Sequence, residues 1–370
     1  MRSEVVDGLR ALVVGGSLAG LTSALALARI GAQVTVVERA AGRRSGAALA
    51  AHPADLEEVI GIEAAAVVLD RLAGPGHRPH GSQPVAWEDL RDGLAQAVLA
   101  DPSISLLEGR QVVSVGEDER AVWARTDDGT EHRAHVLIGA DGHRSLVRRY
   151  VAPERPDADF AGYLLWVGIA REHDLDLHGS WPAGLDIQSS GDHVLLGYPL
   201  PGPDGSLRPG MRRLGWAWYD AGRTELLVST GAVRDGVVRH SIRASDVSEL
   251  IYRELPDRAR GAWSVPWSAA ITDSARRRAI TATPIAEYVP DRLVRGRAAL
   301  VGNAAHVPTP MTGSGFAAAL DDAAALGEAL RAVTPSQVPD ALDSYERDRL
   351  GPARRLVQSG QSFSRSFARG

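Results

Sequence analysis

The chain has 370 residues, of which 44% are hydrophobic and 24% charged, the balance of a folded soluble protein rather than a disordered or membrane-embedded one. No apolar run reaches bilayer length, and a net charge of −5 supplies no concentrated basic surface, so neither a membrane nor a nucleic-acid partner is expected. Cysteine is absent, which excludes disulfides, thiolate metal sites and a cysteine nucleophile and agrees with a reducing cytoplasm.

In chain order, Arg10 to Val14 reads as a buried strand, Leu18, Leu21, Leu25 and Ala28 as the inner stripe of a helix, and Gln33 to Val37 as a second strand. This βαβ unit holds VVGGSLAGL, in which Gly15, Ser17 and Gly20 take the places of the three glycines of a dinucleotide fingerprint, with Gly16 inside the turn. A strand that turns sharply into a helix presents free N–H groups and a positive dipole end to a pyrophosphate. Glu38, followed by Arg39, ends the second strand about 20 residues beyond the glycines, where ribose hydroxyls need an acceptor. The acid there favours FAD or NAD over a nucleotide carrying a ribose phosphate.

Further along, His135 to Ile138 and Ala298 to Val301 are two more short apolar strands, ending at GADG with Asp141 and at GNAAH with Gly302 and Asn303. A proline-rich loop through Pro310 then leads to Gly313, Ser314 and Gly315, which open a long alanine-rich helix. From about Asp159 to Trp267, FAGYLLWVGIA, GDHVLLGYPL and RLGWAWYD alternate apolar and polar residues as a sheet with one covered face does. That region holds six of the eight tryptophans. Pro201 to Gly210 is a turn-rich hairpin connection, and Ser336 to Phe367 a helical tail with a polar face.

The segments IGADGHRSLVR (Ile138 to Arg148) and ALVGNAAHVPTPMTGSGFAAALDDAAAL (Ala299 to Leu326), with the N-terminal fingerprint, resemble the flavin motifs of the para-hydroxybenzoate hydroxylase family. FAGYLLWVG, GYPLPGPDGS and GWAWY are most similar to its dihydroxypyridine hydroxylase branch. The resemblance implies an α/β fold in which a Rossmann-type FAD-binding domain with a parallel sheet (1–76, 100–156 and 284–335) is interleaved with a mostly antiparallel substrate domain (77–99 and 157–283), followed by the tail 336–370. It implies bound FAD, transient NADPH or NADH, and O2. The expected activity is hydroxylation or epoxidation of an aromatic or polyketide-like small molecule by way of a flavin hydroperoxide, in a monomer or homodimer.

The same resemblance places Arg44 near the pyrophosphate, Gln111 (with Arg110 as competitor) near the ribityl chain, and the Pro310 carbonyl near the reactive edge of the flavin. His52 falls in the segment passing the substrate side of the ring, where imidazole could deprotonate or orient a hydroxylated substrate; a helix-capping or surface role also fits. Tyr163, Trp166, Tyr198, Trp216 and Trp218 divide between packing and stacking on the substrate. Three departures remove charge: Val167 stands where relatives have arginine, Asn303 where they have aspartate, and Trp87 where many have arginine; a fourth, Thr283, replaces a common glutamine. Two other readings are a non-redox descendant of the fold, catalysing a cyclisation or rearrangement or only binding a ligand, and a simple Rossmann dehydrogenase. The dehydrogenase leaves GADG and GNAA without a purpose.

Overall fold

Short valine- and leucine-rich runs separated by helices build a parallel sheet in the computed structural model, which describes residues 8–40, 48–73, 83–175, 184–202 and 205–368. Its strand order is Val294–Arg295, Ala298–Leu300, Val136–Gly139, Arg10–Val14, Gln33–Glu38 and Ile104–Glu108. All neighbours are parallel except the hairpin at the first edge. Helices Leu18–Arg29 and Trp87–Ala100 pack on it, Ile62–Ala73 and Gly315–Ala329 back those helices, and the three-stranded sheet Val112–Glu117, Val122–Thr126 and Glu131–Ala134 meets its central strands. The strands are apolar on both faces because both are covered, as parallel sheets require.

Leu90, Leu94 and Val98 enter this first core, so the helix Trp87–Ala100 packs with the nucleotide-binding layer, although the sequence reading assigned 77–99 to the substrate region. The strand Ile280–Glu287 likewise runs across the expected boundary at 283/284 and pairs with Asp159–Arg171.

The second layer is an antiparallel sheet in which Asp159–Arg171 lies between Arg213–Asp220 and Ile280–Glu287, with His193–Leu200 and Asp186–Ser190 beyond Arg213–Asp220. The period of two sorts its aromatics. Trp166 faces Trp218 across the strand pair, and both lie with Trp216 on the side packed by helices Glu249–Ala262 and Trp267–Arg276. Tyr163, Leu165, Val167, Tyr198 and Tyr219 belong to the opposite side. The tail forms one helix, Val338–Phe367, whose first turns enter the first core through Val338, Leu342 and Tyr345 and whose last turns bring Phe363 and Phe367 to the tyrosine side of the antiparallel sheet.

Candidate flavin site

Three segments far apart in sequence meet at the carboxyl edge of the parallel sheet, where nucleotides bind in such folds. Gly15 has φ of +107°, and a β-carbon on it would stand 2.4 Å from the Ala140 carbonyl oxygen and 3.0 Å from Cα of Asp141, so the first motif rests directly on GADG. Gly20 is backed against the Gly15 carbonyl in the same way, at 1.8 Å from an added β-carbon. Gly302 faces Ala19, whose methyl would lie 2.5 Å from a β-carbon at that position, so GNAA rests on the first helix. These close approaches leave room only for backbone, and the turn of Gly15 needs a residue without a side chain.

The helix Leu18–Arg29 begins at Ser17 with no side-chain cap and no acid in its first turn. The helix Gly315–Ala329 begins at Ser314 in the same state, with open space where β-carbons on Gly313 and Gly315 would point. Two positive dipole ends with no acid in their own first turns fit the pyrophosphate and the electron-rich edge of a reduced flavin. Glu38 is buried; its Oε2 accepts from the Gly16 N–H at 2.7 Å and its Oε1 from the Ala40 N–H at 2.8 Å, which fixes both oxygens with lone pairs left for ribose hydroxyls. Arg39 beside it is exposed.

Asp141 is committed to its own chain: it accepts from the hydroxyl of Ser145 and from the N–H groups of Leu146 at 2.6 Å and Val147 at 3.2 Å. Desolvation raises its carboxyl pKa despite these bonds. Asn303 is exposed at the rim, and its carbonyl receives Nη1 of Arg148 at 3.3 Å. Pro310 is exposed and its carbonyl accepts from the Gly313 N–H at 3.0 Å. Gln111 is exposed next to the turn where the Arg110 N–H donates to the Glu38 carbonyl at 3.0 Å, while the Arg110 side chain pairs with Asp128 at 3.0 Å. Arg44 lies outside the described residues.

Comparison with known proteins agrees with this geometry. The FAD binding domain family matches residues 254–360, and the pyridine nucleotide-disulphide oxidoreductase family matches residues 10–47. The 2,6-dihydroxypyridine 3-monooxygenase of Paenarthrobacter nicotinovorans is 28% identical over 344 residues, covering 86% of this chain and 82% of the relative. The aurachin C monooxygenase/isomerase of Stigmatella aurantiaca is 28% identical over 374 residues, covering 95% and 87%. The structure of 2,6-dihydroxypyridine-3-hydroxylase from Arthrobacter nicotinovorans superimposes with a TM-score of 0.74 at 24% identity, covering 97% of this chain and 93% of that one. Klebsiella pneumoniae HpxO, complexed with FAD and uric acid, does so with a TM-score of 0.72 at 20% identity, covering 100% and 91%. The chain carries an FAD binding domain and is similar along most of its length to FAD-dependent aromatic hydroxylases.

The three expected tryptophans lie on the helix side of the antiparallel sheet. Trp166, Trp216 and Trp218 are fully buried between the antiparallel sheet and its helices. Trp166 Nε1 donates to Asp220 at 3.1 Å, Trp216 Nε1 donates to Ser274 at 3.1 Å, and Trp218 packs edge-on to Trp263. Only Tyr163 and Tyr198 of the five expected aromatics lie on the face shared with Met311 of the Pro310–Gly315 loop. His52 occupies the cap position of helix Pro53–Ile60, is exposed, and approaches Asp55 at 4.0 Å.

Sequence reasoning missed two supports of the flavin loop. The buried guanidinium of Arg148 donates to Pro156 O at 2.6 Å and Ala304 O at 3.0 Å and lies 4.2 Å over the Tyr288 ring. Buried Asp322 accepts from the Gly302 N–H at 2.8 Å, pairs with His306 Nε2 at 2.8 Å and accepts from Arg349 Nε at 2.9 Å. Burial raises the Asp322 pKa, but His306 and Arg349 outweigh it and hold the carboxyl below its ordinary range. The only advance signals were Arg148 at the end of one motif and Asp322 about two turns into the helix of another.

Proposed function

We propose that this flavoprotein is an NAD(P)H-dependent monooxygenase that transfers one oxygen atom of O2 to a planar aromatic or heteroaromatic small molecule. The carrying observation is the meeting of Gly15–Gly20, Ala140–Asp141 and Gly302–Asn303 at one sheet edge beside two uncapped helix starts. When bound, FAD supplies the electron transfer and oxygen activation that no side chain performs.

The chain's own residues do the rest. Glu38 accepts the ribose hydroxyls, the first turn of Leu18–Arg29 holds the pyrophosphate, and the first turn of Gly315–Ala329 favours negative charge on the ring. The tyrosine side of the antiparallel sheet keeps water from the reacting centre. Gln111, Arg39, Arg44, Asn303 and Pro310 complete the cofactor surface in this reading, and His52 orients or deprotonates a substrate hydroxyl from the end of the strand Ala48–Ala51. FAD would take the dinucleotide turn, so the nicotinamide would bind transiently. The names of the relatives, which specify dihydroxypyridine and aurachin C, support a ring substrate.

The test is turnover of FAD-loaded protein with NADH or NADPH, a panel of hydroxylated aromatics and ¹⁸O₂. A product carrying one ¹⁸O atom is expected. Nicotinamide oxidation that yields only hydrogen peroxide across the panel contradicts the proposal.

A further inference from the structure

The face of the antiparallel sheet turned toward the Pro310–Gly315 loop is more than a cover. Register places Leu165 and Val167 beside Tyr219 and Ala217 at its centre, with Tyr163 next along the strand. On the described strands the charged side chains of this face stand at its margins. Arg171 is exposed at a strand end; Arg213 is held by Glu88 at 3.3 Å and by Asp89; Glu287 accepts from the hydroxyl of Ser364.

The last turns of the C-terminal helix are fixed onto this face and onto the flavin loop together. A β-carbon on Gly360 would stand 2.4 Å from the methyl of Thr309, so helix and loop touch there. Tyr163 Oη lies 2.6 Å from Thr309 Oγ1 and 3.2 Å from Ser364 Oγ, joining sheet, loop and helix. On either side of Ser364, Phe363 and Phe367 stack at 5.4 Å and 18° and meet Tyr163 edge-on at 6.5 and 5.1 Å. The tyrosines beneath are buried, whereas both phenylalanines and Met311 are only partly covered. Among the partly covered side chains packed on this face, which also include Ile169, Val194 and Leu196, Phe363, Phe367 and Met311 supply aromatic ring and thioether, both favourable partners for another π-system.

We infer that Phe363, Phe367 and Met311 form the wall against which the substrate ring lies, and that this wall selects uncharged aromatic rings over aromatic carboxylates. A carboxylate brought here loses its hydration and finds no free cation at the centre of the described face, since Arg213 is already paired. The inference rests on the proposed function in taking this face as the substrate side.

The test is calorimetric titration of FAD-loaded protein with 2-naphthol and with 6-hydroxy-2-naphthoate, which differ by one carboxylate. 2-Naphthol is expected to bind at least roughly tenfold more tightly. Phe363→Leu and Phe367→Leu, which retain apolar packing, are each expected to weaken 2-naphthol about threefold to tenfold while the FAD Kd stays within about twofold. Equal or tighter binding of the naphthoate, no binding of 2-naphthol, or leucine variants that bind it as the parent does would overturn the inference. If no FAD is taken up, the proposed function fails instead, and the same titrations of the flavin-free protein still read the wall.

Discussion

Gly15 carries the tightest requirement in the flavin site because two constraints coincide on it: a φ of +107° and contact with the Ala140 carbonyl. Gly15→Val should abolish FAD uptake in an equilibrium titration while leaving helical content in circular dichroism near the parent's. Glu38→Ala should have a smaller effect. It removes charge-assisted hydrogen bonds worth roughly 1.5–3 kcal/mol, a weakening of FAD binding of about tenfold to a hundredfold, and unchanged affinity would show that the carboxylate serves only Gly16 and Ala40. For His52, the exposed position at a helix start fits both orientation of a substrate and plain capping. The proposed role predicts that His52→Ala lowers kcat and leaves FAD affinity unchanged; an unaltered pH profile of turnover would return His52 to a structural part.

Among the elements, the helix Gly315–Ala329 does two jobs: its first turn follows the Pro310–Gly313 turn, and about two turns from its start Asp322 reaches back to hold Gly302, His306 and Arg349. Because the folded pKa of Asp322 is depressed below its ordinary 3.8, its contribution is present above that pH and is lost as pH falls through the lower folded value. Asp322→Asn should therefore lower stability at pH 7 by about 3 kcal/mol, leaving Arg349 with only its 3.6 Å pair to Asp321, and should flatten the acid limb of the denaturation profile below about pH 3.8. An acid limb as steep as the parent's would contradict this. The antiparallel strands make a separate prediction. Trp216→Phe loses the bond to Ser274 and should cost about 1–2 kcal/mol in urea unfolding, yet leave ligand binding unchanged, since that ring lies on the helix side.

These elements show how much could be read in advance. The strands at Arg10, Gln33 and Ala298 and the alternation in FAGYLLWVGIA were legible because buried strands and half-covered sheets impose short-range patterns. Alternation also says that Trp166 and Val167 point to opposite sides, but not which side faces the flavin. That choice is set by helices Glu249–Ala262 and Trp267–Arg276, whose packing is long-range. Phe363 and Phe367 read as parts of a polar-faced tail, and nothing local ties residue 364 to Tyr163, 201 positions away.

At the scale of the whole molecule, the C-terminal helix links the two layers: Tyr345 donates to the Leu300 carbonyl at 2.7 Å in the first, and Ser364 reaches Tyr163 in the second. The flavin edge and the tyrosine face are thereby held against each other by one helix. No helix among the described residues is long and apolar enough to cross a membrane. The losses of charge at Val167, Asn303 and Trp87 bear on whether electron delivery still responds to substrate, because those positions carry charge in the family that the sequence resembles. The most direct measurement is anaerobic mixing of FAD-loaded protein with NADH or NADPH, with and without hydroxylated aromatics such as 2-naphthol, followed by flavin absorbance. A monooxygenase predicts bleaching by at least one nicotinamide, faster when an aromatic ligand is present. A bound flavin that neither nicotinamide bleaches under any of these conditions would contradict the account and favour a fold that has kept its cofactor site without its redox chemistry.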